Sequence, residues 1–194
     1  MPPDTQQSTK GFIRETLEFV VIALLIALPI RYFIAQPFIV SGLSMFPTFH
    51  NGDYLIVDQI TYRFHAPERG DVIVFHNPQQ YAEFYIKRII GLPGEKLHID
   101  GNDVTVYNKD HANGIHLTEP YTGSSRPGRE DITLDNSHYF VMGDNRAASS
   151  DSRIWGPLDK GLITGRAIAR LWPPSVISFF PGKADPIPAS AATK

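Results

Sequence analysis

The chain has 194 residues, 42% apolar and 20% charged, enough to bury one core of ordinary size. Eighteen basic residues against 20 acidic ones leave a formal net charge of −2, which argues against a nucleic-acid binder. The absence of cysteine excludes a disulfide framework, a thiolate zinc site and a cysteine nucleophile, while 15 Gly and 16 Pro point to a loop-rich, mostly β body.

The apolar residues are unevenly distributed. Residues 1–16 form a polar N-terminal segment, and residues 19–30 (FVVIALLIALPI) then carry no charge. The wider window 17–35 holds only Glu18 and Arg31, near its two ends. As a helix its nineteen residues reach roughly 28 Å, close to the hydrocarbon thickness of a bilayer. Arg31 can snorkel to the headgroups, and Tyr32 and Phe33 sit where interfacial aromatics are favoured. Three readings compete: a transmembrane helix over residues 17–36, a cleaved secretory signal, and a buried soluble helix. The anchor is preferred, because Phe33 spoils a small-x-small cleavage site ending at Ala35. Lys10 and Arg14 ahead of the span put the N-terminus in the cytoplasm and the rest of the chain outside.

After Pro37 short runs of β-branched and aromatic residues alternate with Gly, Pro, Asn and Asp. Strands are expected at 38–40, 54–58, 71–75, 84–90, 96–99, 104–107, 138–142 and 167–171. Leu92-Pro93-Gly94 suits a type II turn and Asp100-Gly101-Asn102 a tight hairpin. Residues 108–136 read as a polar surface excursion and 181–194 as a disordered tail. The expected fold is mostly β: an antiparallel sheet domain over 37–180 behind an N-terminal transmembrane helix.

Three segments carry the chemistry-bearing residues. Ser41-Gly42-Leu43-Ser44-Met45-Phe46-Pro47 lies just beyond the apolar run; it is an ordinary loop by composition and lacks the G-x-S-x-G elbow. A serine there needs a base. The seven histidines have no metal-binding or triad context, and read as scattered surface residues. In Phe84-Tyr85-Ile86-Lys87-Arg88-Ile89-Ile90 strand alternation puts Lys87 on the face of Tyr85 and Ile89. Lys87 is then either a solvated edge lysine or, if that face is buried, an amine of lowered pKa able to act as general base. In the third segment, 143–156, Asp144, Arg146, Asp151 and Arg153 alternate, which favours mutual ion pairing over a raised carboxyl pKa.

The joint order is more specific than any one segment. The apolar span, Ser41 to Thr48, R-G-D-V-I-V-F at 69–75, Y-I-K-R-x-x-G-L-P-G from Tyr85, and G-D-N-R…S-x-D-S-R from Gly143 together resemble the bacterial type I signal peptidases. That resemblance implies a membrane-anchored Ser–Lys endopeptidase, in a minimal single-span form, that removes signal peptides from exported proteins. It makes Ser44 the nucleophile, Lys87 the general base and Ser149 the hydroxyl that orients the amine. Asp151 and Arg153 become a structural charge pair, with Asp144 and Arg146 supporting the loop. Phe38, Val40, Leu55, Val74 and Ile86 line shallow apolar pockets, with Tyr85 and Met45 alongside, that suit a small residue at the first and third positions before the cut. It implies no metal or cofactor. Its partners would be preproteins, the lipid bilayer and the export machinery, and its place the bacterial cytoplasmic membrane with the catalytic domain external. Two departures stand out: Gly42 occupies a position where some relatives carry a serine as second oxyanion donor, and Ala147-Ala148 replaces a polar pair. The rival readings are a self-cleaving repressor-type Ser–Lys peptidase, which would need a DNA-binding module, and an anchored β domain that binds peptides without chemistry.

Overall fold

The computed structural model describes residues 9–29, 31, 34–123, 125–184 and 187–188. The chain opens with helix α1 (Thr9–Pro29). Its charged first half includes an Arg14–Glu18 pair at 2.8 Å; beyond it the apolar side chains stand exposed, Phe19 at 72% and Leu25 at 68%. No helix among the described residues is long and apolar enough to cross a membrane. Within the expected span of 17–36 the described residues of α1 run to Pro29, Arg31 and Ile34 are π-helical, and Ala35 and Gln36 already belong to a strand. Pro37 explains the change, since the residue before a proline is pushed toward extended backbone.

Among the described residues thirteen strands follow: β1 (Ala35–Ile39), β2 (Tyr54–Asp58), β3 (Val72–Asn77), β4 (Gln80–Gly91), β5 (Lys96–Asp100), β6 (Asp103–Tyr107), β7 (Ile115–Thr118), β8 (Arg129–Thr133), β9 (His138–Met142), β10 (Leu158–Asp159), β11 (Ile163–Trp172), β12 (Ser178–Phe179) and β13 (Ile187–Pro188). A short helix, α2 (Ser152–Trp155), lies between β9 and β10. The larger sheet has the order β1-β2-β11-β3-β4-β9-β10, with β12 on β11, and the smaller one β13-β7-β6-β5-β8. All pairings are antiparallel.

Alternation on the strands sorts the core. On β3, Val72 joins a cluster with Val40, Met45, Phe49, Leu55 and Ala167, while Ile73 and Phe75 join Ile89, Tyr139, Val141 and Leu158. A third cluster joins the sheets, packing Ile90, Phe140 and Met142 against Leu97, Ile99, Val104, Val106 and Leu117. The chain passes between the sheets at Gly91, where a Cβ would lie 2.7 Å from Leu97 Cδ1. A larger residue there would have to push Leu97 and Leu134 aside.

The structure departs from the sequence reading in three places. Strands β4 and β11 each begin four residues early, at Gln80 and Ile163. The supposed excursion over 108–136 contributes β7 and β8 to the smaller sheet. Those strands bury one face only, through Leu117 and Ile132, so their polar composition hides them. Nor is the start of the tail loose: Pro181 is buried, Gly182 O accepts a hydrogen bond from Arg88, and β13 pairs with β7. Residues 185–186 and 189–194 of the predicted tail lie outside the described residues.

Candidate active site

The loop after β1 is anchored from beneath by Met45 and Phe49, 1% and 0% exposed, and by a backbone hydrogen bond from Phe49 N to Met45 O. Ser44 is thereby held half-buried between core residues and an open cleft. Across it, β4 delivers Lys87, whose side chain closes the distance of 43 positions along the chain: Nζ lies 2.9 Å from Ser44 Oγ. The same amine donates to Ile86 O at 2.9 Å and stands 5.1 Å from the Tyr85 ring centroid.

Lys87 is only 3% exposed. Burial pushes its pKa from 10.5 down to about 8, against the opposing pull of Asp151 and Asp144. Below pH 8 the folded state carries the full cost of a buried ammonium, about 3 kcal/mol for a shift of this size. That cost fades as the pH rises toward the unfolded value of 10.5. Such an amine is an available proton acceptor in a mildly alkaline medium, which a solvated edge lysine is not.

The third segment forms the wall behind this pair. Asp151 caps α2 and accepts from Gly143 N at 3.0 Å and from Arg153 Nε and Nη2, both at 2.8 Å. Burial alone would raise the Asp151 pKa, but the hydrogen bonds and charge of Arg153, with Gly143 N–H, hold it below the ordinary value. Gly143 is wedged tightly: a Cβ there would lie 2.3 Å from Ser149 Oγ and 2.4 Å from Ser44 O. Asn145 completes the attachment, donating from its backbone N to Ser44 O at 3.0 Å and from Nδ2 to Leu43 O at 3.1 Å.

Two expectations about this wall need correction. Asp144 and Arg146 do not pair with each other. Asp144 takes a buried two-point ion pair from Arg88, at 2.8 and 2.6 Å, and Arg146 pairs with Glu119 at 2.6 Å. Ser149 is buried, but its Oγ makes no hydrogen bond of good geometry to the amine. It lies near enough to the Asp151 carboxyl to help lower that group's pKa. Arg88, Glu119, Tyr121 and Thr48, whose hydroxyl donates to Asp144, were not singled out in the sequence. Arg88 could have been, since it neighbours Lys87 on a strand with apolar residues on both sides.

The cleft itself measures about 310 Å³. Phe38, Val40, Leu55, Val74, Tyr85 and Ile86 line it together with Ser44 and Lys87. Met45 instead sits in the core below it. Ala148 and Ser150 form part of the rim. The larger sheet curls so that Phe38 of β1 meets Phe84 of β4 edge to face, with ring centroids 5.1 Å apart. Such a site offers a shallow apolar trough beside a hydroxyl and a dry amine, the components of acyl transfer to serine.

Comparison with known proteins agrees with this chemistry. The family described as signal peptidase, peptidase S26, matches residues 13–172. The signal peptidase I of Leptolyngbya laminosa is 37% identical over 183 residues, covering 89% of this chain and 86% of the relative. Signal peptidase IB of Staphylococcus aureus is 31% identical over 182 residues, covering 86% and 94%. The crystal structure of a signal peptidase I from Enterococcus faecalis aligns with 53% of this chain and 97% of that one, at 28% identity and a TM-score of 0.44. The class is therefore that of serine endopeptidases acting on signal peptides. This chain belongs to the signal peptidase family, peptidase S26.

The wedge at Gly143 gives a test of the geometry. Gly143→Ala must displace Ser149, the Ser44 carbonyl or both, and a shift of about 1 Å at a reacting group costs about 100-fold in rate. The expected outcome is a chain with unchanged far-ultraviolet circular dichroism that reacts with a serine-acylating probe about 100-fold more slowly.

Proposed function

We propose that Ser44 and Lys87 form the catalytic dyad of a membrane-anchored signal peptidase acting through an acyl-enzyme. The observation that carries this reading is the 2.9 Å approach of a buried, pKa-lowered amine to a serine hydroxyl inside an apolar cleft. Neutral Lys87 takes the Ser44 proton as Oγ attacks the scissile carbonyl. The tetrahedral oxygen accepts from Ser44 N–H. As the C–N bond breaks, the ammonium of Lys87 returns the proton to the leaving amine. Lys87 then removes a proton from water, which attacks the ester carbonyl; the collapse restores the serine hydroxyl and releases the new carboxyl terminus.

Asp151 and Arg153 keep the wall rigid behind the dyad. Asp144 and Arg146 hold the loop that abuts Ser44, and buried Ser149 packs against Gly143 in the same wall. The substrate enters extended, adding to strand edges that border the cleft by β-augmentation. Phe38, Val40, Leu55, Val74, Tyr85 and Ile86 then receive the small side chains one and three positions before the cut, and Met45 supports them from the core.

The anchor reading is supported by α1 and the residues just after it. The second half of α1 exposes apolar side chains on all sides, with none of the described residues packed over them. Lys10, Arg14, Glu15 and Glu18 stay at the interface on the N-terminal, cytoplasmic side, and the β domain lies outside. Confinement with membrane-bound preproteins raises the effective concentration of the substrate, and the export machinery delivers it.

Three measurements follow. Ser44→Ala and Lys87→Ala each lower cleavage of a signal-bearing preprotein by at least about 10³-fold without loss of fold; turnover near the parent level in either variant removes the dyad. The acid limb of kcat/KM falls away below about pH 8, because activity needs the uncharged amine; a limb near pH 4 would instead assign the base to a carboxylate. Full-length chain floats with phospholipid vesicles, and the double variant Leu24→Arg, Leu25→Arg remains in the soluble fraction, each charge costing about 3 kcal/mol at mid-bilayer. Retention of that variant on vesicles would place the membrane contact elsewhere.

A further inference from the structure

We propose that Glu119 and Tyr121, in the smaller sheet's connection between β7 and β8, are positioning residues for the Ser44–Lys87 reaction, acting through Arg146 and Arg88. The proposal rests on the dyad reading and assigns work to a segment that the sequence showed only as polar.

The contacts form two routes. Glu119 directly follows β7, and its side chain is 3% exposed. Its Oε1 accepts from Arg146 Nη2 at 2.6 Å and from the Tyr121 hydroxyl at 2.8 Å. Arg146 Nε in turn donates to Gly143 O at 3.2 Å, and Gly143 is the residue wedged against Ser44 O and Ser149. On the second route the Tyr121 ring lies 3.8 Å from the Arg88 guanidinium carbon, and Arg88 holds Asp144 at two points. Gly123 N also donates to Asp144 O at 3.4 Å. One short segment thus bonds directly to Arg146 and to the Asp144 carbonyl, and through Arg146 and Arg88 it reaches the Gly143 carbonyl and the Asp144 carboxylate. The opposite side of that loop touches Ser44.

Stability alone is a poor account of this arrangement. The Glu119–Arg146 pair is fully withdrawn from water, yet Glu119 Oε2 and Arg146 Nη1 lack hydrogen-bond partners. A buried ion pair left partly unsatisfied is commonly matched or bettered by apolar residues of the same volume. What apolar residues would not supply is direction and charge. Within and behind the loop 143–153, Arg88, Arg146 and Arg153 are each matched by one carboxylate, Asp144, Glu119 and Asp151. Tyr121 is pushed up by burial and by Glu119, so it remains a neutral donor. Tyr85 contributes only its ring to the amine. Removing the Glu119 charge leaves Arg146 uncompensated behind Gly143. The added positive field disfavours the ammonium of Lys87, and the amine deprotonates at lower pH.

The test uses the full-length enzyme, a signal-bearing preprotein, and active sites counted by a serine-acylating probe. Glu119→Gln keeps the shape and removes the charge; it moves the acid limb of kcat/KM downward by at least about half a unit, with KM changed less than about twofold. Glu119→Ala removes the contact and lowers plateau kcat per titrated site at least about tenfold. Tyr121→Phe, which retains the ring over Arg88, keeps more of kcat than Tyr121→Ala. Glu119→Asp restores the limb toward its parent position. If Glu119→Gln leaves both the limb and kcat per titrated site at parent values, the proposal is overturned, even where the melting temperature falls. The Glu119→Gln result decides the question even if Glu119→Ala fails to fold. Retained turnover in Ser44→Ala would instead overturn the dyad reading, so the two failures are told apart.

Discussion

The burial of one amine is the constraint around which the molecule is arranged. Ammonium groups resist leaving water, and an unopposed one in a dry interior simply loses its proton. For a general base that loss is useful only in part. If the pKa fell far below neutrality, the group would be a weak acceptor; left near 10.5, it would be charged and unable to accept at all. Lys87 lies between these limits because desolvation lowers its pKa while Asp151 and Asp144 pull it back to about 8. The two carboxylates are themselves committed to Arg153 and Arg88, so each offers the amine a partly cancelled charge. Tuning by opposed and partly neutralised terms requires that every member be held still, and this is what the buried loop 143–153 achieves.

The same economy shapes the cleft. A peptide chain entering a trough must have its backbone groups satisfied and its side chains sorted by size. Strand β4 pairs with β3 along much of its length but meets β9 only from Arg88 onward, leaving residues 84–87 with one free side. Across the trough the edge strand β1 runs on through Val40 to the Ser44 loop. Two backbone edges therefore border an apolar floor built by Leu55, Val74 and Ile86. The Phe38–Phe84 contact closes one wall. The trough so enclosed measures about 310 Å³.

Much of this was legible in the sequence because it is carried by local pattern. Strands with apolar residues on one face or both, such as β2 and β9, fall where the residue pattern places them. The contact of Ser44 with Lys87, proposed above as a dyad, was expected for a different reason: both sit in strings whose order along the chain is distinctive, although nothing in either string reveals a 2.9 Å separation. What stayed hidden was long-range pairing of charge. Alternating Asp and Arg in 143–153 suggested four mutual partners, and only Asp151 and Arg153 behave so. Arg88 reaches Asp144 from 56 positions away, and Arg146 reaches Glu119 from 27. No periodicity encodes such contacts. The strands β7 and β8 were missed because each buries a single face through one or two aliphatic side chains.

Gly42 shows how backbone geometry limits this version of the site. Its φ of +95° lies where L side chains are strained, and its N–H already donates to Asn51 Oδ1 at 3.0 Å. A serine at that position would be strained by its backbone conformation, although the space around it is open. On the dyad reading, the oxyanion then rests on Ser44 N–H and on water reaching the open side of the cleft. Each fixed donor in such a hole contributes about 10²–10³ in kcat. A site with fewer donors is slower per encounter, and an anchored enzyme can offset that loss. Confinement of an enzyme with its substrate at one surface increases encounters, which set the rate whenever substrate is below saturation. Under the proposed anchoring through α1, proximity to the substrate offsets chemistry relinquished at Gly42.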